Sequence, residues 1–575
     1  MSLQLRDTLS RALAPVTPLE PGRVRMYSCG PTVYRFAHVG NLRTFLLADL
    51  IRRVLLYHGL EVLHVQNITD VGHLRDDTAD RGEDRMLIAA GLEGKTSAEI
   101  ADGYEAAFHA DAALLNLLPA HAFPRATEHV PEMVALAERL EDLGHAYATP
   151  EGNVYYAVAT FPGYGMLSGN SLDELRAGHR GEIEPDKRDA ADFALWKAAG
   201  PGRALAWDTP RWGRGFPGWH LECSAMAMRH LGPRFDIHTG GEDNVFPHHE
   251  DEIAQSAPIV GGPPASIWVH GAHLLMRGRK MAKSAGNFQR ITELADAGLD
   301  PLAFRYLCLG ARYARKLDYS DASLAGAAAG LESLREAVRR LGPPPPDGPW
   351  AAPEPIRAGA APSRPVGVAS GIAGHGVVGH GVVGHGVVGA RDGWPDHVRL
   401  SDRAGVPGAP LSAAGRRLHD SFVQAIDRDL DMPAALRITR QAANAPDVSA
   451  DERRWIVLDH DAVLGLDLDR VWAGGSTALG ASTSLGGSAA LGRSPGPSES
   501  GHAPTRTLPD RAAPLMAERD RARAARDFAR ADALRDELRA LGVDPIDGAD
   551  GATGWRPVQP GTARSDRSRN RSSSR

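Results

Sequence analysis

Residues 24–69 carry the pattern that most restricts the fold of this chain. The stretches VRMYSC (24–29) and EVLHVQNIT (61–69) each predict a strand. Between them, from Gly40 to Tyr57, apolar residues recur at spacings of three and four, which is typical of one side of a helix. Strand, loop, helix and strand in this order form a βαβ unit, whose strands lie parallel in one sheet. We therefore expect an α/β fold.

Two later stretches supply further strands of this domain. FDIHTG (235–240) and SIWVHGAHLLM (266–276) are strand candidates with helical patterns around them. The α/β domain is thus expected to cover residues 1–320. Helical and strand patterns at about 113–205 interrupt its two halves, which indicates an insertion within the domain.

Composition divides the rest of the chain. The GHGVV repeat contains His375, His380 and His385, which could form a metal tract, but a flexible low-complexity insertion is the favoured interpretation. We predict a helix at 321–342, the low-complexity insertion at 343–411, helices at 412–472 and a Gly/Ser linker at 473–508. A small C-terminal region follows at 509–558, in which Pro514 to Leu541 is strongly helical and arginine-rich, and then a basic disordered tail at 559–575.

Charge and cysteine content limit the cellular setting. The net charge of −6 does not advertise a nucleic-acid partner, although a local basic surface could still bind one. Three cysteines in 575 residues argue against a disulfide framework. We see no secretory signal and no apolar run of about 18 residues, so no membrane contact and a cytoplasmic location are expected.

Two polar segments are candidates for a binding or catalytic site. His38, Gly40 and Asn41 lie at the start of the predicted helix, where unpaired N–H groups bind phosphate, although a plain capping loop is the alternative. In RGRKMAKSAGN (277–287), Lys280 and Lys283 could neutralise charge on a transferred phosphate, or could be a solvated basic loop.

The chain also offers ligands for a metal. Cys29 ends the first strand, Cys223 lies in WHLECSAM, and FPHHEDE places His248 and Glu252 four residues apart on one side of a helix. Cysteine, histidine and glutamate together form a plausible zinc set. His238, His249 and Glu250 are close by and leave the choice of ligands open, and inert packing is the alternative for the cysteines.

These motifs together resemble one family. HVGN is similar to the HIGH signature and KMAKS to the KMSKS loop of class I aminoacyl-tRNA synthetases, about 240 residues apart and in the right order. YSCGPTVYRFAHVGN, NITDVGHL, PRATEHVPEM, GWHLECSAMA and FDIHTGGEDNVFPHHEDEIAQS resemble the cysteinyl-tRNA synthetases. The likeness covers about 22–320, 412–472 and 510–557. Asn41 is usual in this subfamily, whereas Ala282 departs from the usual serine.

The resemblance implies a fold and an activity. It implies a Rossmann-type parallel-sheet catalytic domain with an inserted connective region, an α-helical bundle and a small C-terminal anticodon-binding region. The activity would be ATP-dependent ligation of L-cysteine to its tRNA through cysteinyl-adenylate, by a monomer. Cofactors would be one Zn²⁺ per chain, which selects the substrate thiolate, and Mg²⁺ with ATP.

The resemblance also implies roles for individual residues. These are zinc binding by Cys29, Cys223, His248 and Glu252; cysteine binding by Thr32, Trp219 and His238; ATP binding by His38, Gly40, Asn41 and Lys283; and catalysis by His38, Lys280 and Lys283.

Two alternatives share parts of these motifs. A ligase that joins cysteine to a glucosaminyl-inositol in mycothiol synthesis makes the same adenylate but lacks the C-terminal region. A non-catalytic RNA-binding paralogue would be expected to lose a signature or a ligand, and none is lost. The C-terminal arginines, which include Arg519 and Arg530, could contact tRNA phosphates or form a solvated ion-paired surface.

The low-complexity insertion generates a prediction. Deleting residues 345–408 is expected to leave folding and aminoacylation nearly intact, since closure entropy changes only logarithmically with loop length. Soluble yield and a charging assay check it, and loss of soluble protein would show that the segment is structural.

Overall fold

The structure is a computed structural model. It describes residues 3–71, 74–76, 81–178, 186–200, 202–276, 278–280, 289–357, 409–472 and 512–524, and in the C-terminal part residues 527, 530, 531, 534, 535, 537, 538, 543–547 and 553–557. The chain divides into two compact units, Met1–Gly480 and Ala481–Arg575. The GHGVV repeat, the predicted Gly/Ser linker and the C-terminal tail lie outside the described residues.

The helices fall between and after the strands of the α/β domain. None in the described ranges combines the length and hydropathy needed to span a bilayer. They are α1 (Val39–Tyr57), α2 (Arg85–Glu93), α3 (Ser97–Leu114), α4 (Val130–Asp142), α5 (Leu172–Gly178), α6 (Leu221–Leu231), α7 (Glu250–Val260), α8 (Ile291–Asp296), α9 (Leu302–Leu309), α10 (Asp321–Arg339), α11 (Ala413–Asp427), α12 (Met432–Ala443), α13 (Ala450–Leu464) and α14 (Ala512–Ala524).

The strands form several separate sheets. In chain order they are β1 (Gln4–Arg6), β2 (Leu13–Pro15), β3 (Arg23–Ser28), β4 (Glu61–Gln66), β5 (Leu74–Asp76), β6 (Arg81–Asp84), β7 (Ala146–Ala148), β8 (Val154–Tyr156), β9 (Phe193–Ala198), β10 (Trp207–Thr209), β11 (Gly213–Pro217), β12 (Phe235–Gly241), β13 (Ala265–Gly271), β14 (Leu274–Met276), β15 (Arg279–Lys280), β16 (Leu317–Tyr319), β17 (Val543–Asp547) and β18 (Thr553–Pro557).

The central sheet is parallel, as the βαβ pattern predicts. Its strand order is β13-β12-β3-β4, with Met26 of β3 between Ile237 and His64. Helix α1 connects β3 to β4, and α7 connects β12 to β13. Strand β12 therefore lies beside β3 on the side opposite to β4. The connections leave β3 and β12 in opposite directions across the sheet, which creates a crevice at their carboxyl ends.

Helix α1 is buried over most of its length rather than on one side. Leu42, Leu46 and Val54 are at most 2% exposed, because the helix lies between the sheet and α13. The helix ends at His58, and Gly59 follows with φ of 74°, a left-handed conformation that glycine adopts without strain.

The inserted region forms its own antiparallel sheet. The order β10-β11-β9-β8-β7 runs from Ala146 to Pro217, past residue 205 where the sequence placed the end of the insertion. Strands β10 (WDT) and β11 (GRGFP) are too short to show a clear alternating pattern. We place the end of the insertion at Pro217. The predicted strand at 266–276 is likewise two strands, β13 and β14, which belong to different sheets.

Four helices, α10 to α13, form the predicted bundle, and the segment after α10 packs with it. Ile356 is 5% exposed and belongs to the main core, although it falls in the predicted low-complexity insertion. Its carbonyl accepts a hydrogen bond of 2.7 Å from Arg53 Nη1. Deletion of residues 345–408 would remove this buried contact, so the prediction is revised for the residues around Ile356. The proline- and glycine-rich composition of this segment gave no sign that Ile356 is buried.

The second unit contains α14 and the antiparallel pair of β17 and β18. Arg530 forms an ion pair of 2.7 Å with Glu518. Arg519 is only 3% exposed, so its guanidinium does not lie on the surface of the unit. Arg519, one of the arginines predicted as possible phosphate contacts, is therefore packed inside the unit.

The burial of Ile356 allows two deletions to be compared, one that keeps this residue and one that removes it. Replacing 358–408 with a short Gly/Ser linker should leave thermal stability and charging close to the full-length values. Replacing 345–408 should lower stability by about 2–5 kcal/mol, the usual cost of losing a buried isoleucine side chain. Paired thermal melts measure this difference, and equal melting of the two variants would contradict the role given to Ile356.

Candidate active site

The candidate site lies at the carboxyl ends of β3 and β12. Ser28 Oγ and Thr239 Oγ1 are 2.7 Å apart, and the Cys29 amide donates to the Thr239 carbonyl at 3.2 Å. Cys29 follows β3 directly, and α1 begins ten residues later. Because the chain connections diverge here, side chains from distant segments can meet above the sheet without steric conflict.

Four predicted metal ligands meet at this edge. The ligand atoms of Cys29, Cys223, His248 and Glu252 all lie within 4.8 Å of one another. Cys223 comes from α6, His248 from the helical turn Val245–His249, and Glu252 from the first turn of α7. His248 Nε2 is 3.1 Å from Glu252 Oε1, as their spacing of four residues predicts.

A second set of ligands shares two of these residues. Cys29, His238, His249 and Glu252 also place their ligand atoms within 4.8 Å of one another. His238 Nε2 is 2.8 Å from Glu252 Oε2, and Cys29 Sγ is 3.1 Å from His249 Nε2. Among the described residues, the geometry therefore narrows the candidate metal ligands to two sets. Both contain Cys29 and Glu252, and they differ in their other two members.

Burial sets the charge of this cluster. It raises the pKa of the Cys29 thiol to about 11 and that of the Cys223 thiol well above its usual range. Burial also raises the pKa of Glu252, but His238 and His248 outweigh it and hold this pKa at about 2. The pocket thus holds two neutral thiols beside an ionised carboxylate. A divalent cation would favour the thiolate forms, so the donor chemistry fits a thiophilic metal such as zinc.

The predicted cysteine-binding residues lie around the cluster. The Trp219 ring stacks on His220 at 4.8 Å between centroids and is 5.8 Å from the His248 ring. His238 is fully buried and stacks on Trp268 at 4.7 Å. Thr32 lies three residues after Cys29 and forms an isolated parallel β-bridge with Thr69. Trp219 and His238 are thus at the cluster itself, and Thr32 is in the loop that leaves it.

The HVGN segment caps helix α1. The amide of Asn41 donates to His38 Nδ1 at 3.1 Å, and the amide of His38 donates to Asn41 Oδ1 at 3.2 Å. A Cβ atom at Gly40 would lie 2.9 Å from the His38 ring, so a larger residue here would disturb the cap. The capping alternative is thus real, because the amides of Asn41 and Leu42 both donate to His38, to its ring and to its carbonyl.

The two lysines are described only in part. Lys280 lies in β15, where it pairs with Leu275, and its side chain lies outside the described residues. Lys283 also lies outside them. The Val39 amide donates at 3.0 Å to the carbonyl of Gln289, which lies two residues after the RGRKMAKSAGN segment.

Sequence reasoning missed a chain of histidines behind the cluster. His249 Nδ1 is 2.8 Å from His270 Nε2, and His270 Nδ1 is 2.7 Å from Thr8 Oγ1. The doubled histidine in FPHHEDE was the only local signal, because Thr8 and His270 are 262 residues apart in the chain. This chain of hydrogen bonds orients the His249 ring beside Cys29.

Comparison with known proteins identifies the class. The family described as "tRNA synthetases class I (C) catalytic domain" matches residues 15–329, and "Cysteinyl-tRNA ligase anticodon binding domain" matches residues 505–544. Fold, site and family agree on a class I aminoacyl-tRNA synthetase.

Full-length relatives narrow the class further. Cysteine–tRNA ligase of Thermosynechococcus vestitus is 37% identical over 569 residues, which cover 96% of this chain and 99% of the relative. The Salinibacter ruber enzyme is 37% identical over 584 residues, covering 97% and 99%. That of Thermus thermophilus is 46% identical over 341 residues, covering 59% and 70%. The chain belongs to the cysteine–tRNA ligase family.

The two ligand sets make different predictions for metal content. We expect about one zinc per chain in the purified protein. Cys223→Ser should lower that content, whereas Cys308→Ser, a buried cysteine of α9, should keep it and serves as the matched control. His249→Gln should also keep it. Metal loss in His249→Gln with full content in Cys223→Ser would assign the metal to the second set.

Proposed function

We propose that this member of the cysteine–tRNA ligase family joins L-cysteine to tRNA in two steps through cysteinyl-adenylate. One observation carries the proposal: a buried cluster of two thiols, imidazole and carboxylate lies at the same edge of the sheet as the start of α1. A thiol-selective pocket next to a phosphate-binding helix end is the arrangement that activation of cysteine by ATP requires.

In the first step a cysteine carboxylate oxygen attacks the α-phosphorus of ATP, and pyrophosphate leaves. No protein nucleophile takes part, so the enzyme contributes position and charge. His38, Gly40 and Asn41 hold the nucleotide at the start of α1. Lys280 and Lys283 neutralise the pyrophosphate as its charge develops.

The side-chain pocket selects the substrate. Cysteine and serine differ by one atom, and an apolar pocket separates such isosteres poorly. Cys29, Cys223, His248 and Glu252 would hold zinc, which when bound supplies a soft Lewis acid that prefers the substrate thiolate to a hydroxyl. Thr32, Trp219 and His238 hold the rest of the amino acid. Discrimination at this stage would make a separate editing step unnecessary.

In the second step the ribose at the end of tRNA attacks the carbonyl carbon of the adenylate, and AMP leaves. The match of residues 505–544 to an anticodon-binding family supports tRNA as the acceptor. The same match speaks against the glucosaminyl-inositol acceptor, because a small acceptor has no use for such a region. The intact signatures and ligands speak against a non-catalytic paralogue.

Three further proposals concern the working state. Mg²⁺ accompanies ATP, as its phosphate charge requires. The enzyme acts as a monomer, and one chain brings all the described cluster residues together. It works in the cytoplasm, where a reducing environment keeps Cys29, Cys223 and Cys308 free.

Lys283 tests the chemistry of the first step. Lys283→Ala should lower kcat for cysteine-dependent pyrophosphate exchange by about 10²–10³-fold, because its charge is needed mainly in the transition state. The KM for cysteine should stay nearly unchanged. Lys95→Ala, at an exposed lysine paired with Glu93, is the matched control and should keep full activity. A raised cysteine KM with unchanged kcat would contradict the role of Lys283.

Truncation after Gly475 tests the acceptor. The shortened chain should keep cysteine-dependent pyrophosphate exchange, since the proposed adenylate site lies within the first unit. Transfer to tRNA should fall sharply, and binding of tRNA to the full chain should weaken as salt rises, because phosphate contacts release counterions. Equal charging by the two proteins would show that the C-terminal region does not read tRNA.

A further inference from the structure

Arg43 lies on α1 two residues after Asn41, and its side chain is buried. The residue is 7% exposed. In the described part of the chain it forms no ion pair with a carboxylate, so its guanidinium serves backbone groups. The acceptors are the carbonyl oxygens of Ala272 (2.8 Å), His273 (2.8 Å), Arg312 (3.4 Å) and Arg315 (2.6 Å). A rigid planar fork with several donors can hold two chain segments at once.

Both segments lead into the small sheet that carries Lys280. His273 directly precedes β14, and Arg315 lies two residues before β16. Strand β14 pairs in parallel with β16 and antiparallel with β15, where Leu275 faces Lys280. Arg43 thus holds the two strands that fix the position of β15.

The same segment is held from the other side by the carboxyl end of β12. The His273 amide donates to Glu242 Oε1 at 2.9 Å, and the Glu242 amide donates to the Gly271 carbonyl at 2.8 Å. The start of α1, the end of β12 and the strand β14 therefore form one hydrogen-bonded unit. Arg43 is its link to α1.

We infer that Arg43 is a positioning residue for adenylate formation, which fixes the strand ending at Lys280 relative to the HVGN start of α1. The inference rests on the proposed function, because it takes Lys280 and the HVGN segment to act on the same ATP. A displacement of about 1 Å between such groups can cost about 10²-fold in rate. The transfer step needs no pyrophosphate contact, so the effect should be confined to the first step.

The test compares Arg43→Lys and Arg43→Ala with Arg52→Lys. Arg52 is a buried arginine of the same helix that donates to the Pro119 carbonyl at 2.5 Å and lies 3.2 Å from His121 Nε2, so its hydrogen bonds go to a different segment. Each variant of the full chain is measured in cysteine-dependent pyrophosphate exchange, in single-turnover transfer from enzyme-bound adenylate to tRNA, and in a thermal melt.

Arg43→Ala should lower kcat for exchange by at least about tenfold and raise the KM for ATP, with the KM for cysteine and the transfer rate within about twofold of wild type. Arg43→Lys should recover part of the loss, since it keeps the charge but not the fork. Arg52→Lys should leave all kinetic values near wild type.

Three results would overturn the inference. They are equal losses in exchange and transfer, a rise in the KM for cysteine that matches the rise for ATP, and unchanged kinetics in Arg43→Ala. Failure of the wild-type chain to support cysteine-dependent exchange is a different outcome, because it would count against the proposed function itself. If Arg43→Ala does not fold, the ratio of exchange to transfer in Arg43→Lys decides, and an unchanged ratio rejects the role.

Discussion

Asp49 lies in the middle of helix α1 and is buried between two guanidinium groups. Its Oδ2 accepts from Arg53 Nε at 2.9 Å and from Arg305 Nη2 at 2.7 Å, and its Oδ1 accepts from the Leu118 amide at 2.8 Å. Burial raises the pKa of Asp49, yet the two arginines outweigh it and hold this pKa below its usual value. Removing one partner from such a buried group costs about 3–5 kcal/mol, because the remaining charge stays unpaired.

The donors that remain on the two arginines determine how the helical bundle meets the catalytic domain. Arg53 donates to the carbonyls of Ile356 and Ala462, and Arg305 donates to those of Leu464 and Leu115. The bundle is therefore oriented by backbone groups that a side-chain pattern does not reveal. Helix α1 carries the proposed nucleotide site at its start, Arg43 in its first turns and this ionic network in its middle.

The cluster around Cys29 illustrates a related constraint. Buried thiols and imidazoles are costly to desolvate unless each polar group has a partner. Here Glu252 contacts both His238 and His248, while His249 contacts Cys29 and His270. These contacts give the buried groups polar partners in place of water. The packing also explains why two alternative ligand sets share the same space.

The sequence by itself determined the parallel βαβ unit, the extent of α1, the two signature segments and the residues from which a metal set could be drawn. These features depend on local periodicity or on short motifs, which the chain displays without reference to its fold. Only the tertiary structure decided that the inserted sheet continues to Pro217, that Ile356 belongs to the core, and that Arg43 joins α1 to the segments that precede β14 and β16. Each of these depends on contacts between residues far apart in the chain or on weak strands without alternation. Backbone carbonyl acceptors in particular leave no trace in the residue pattern, since every residue has one.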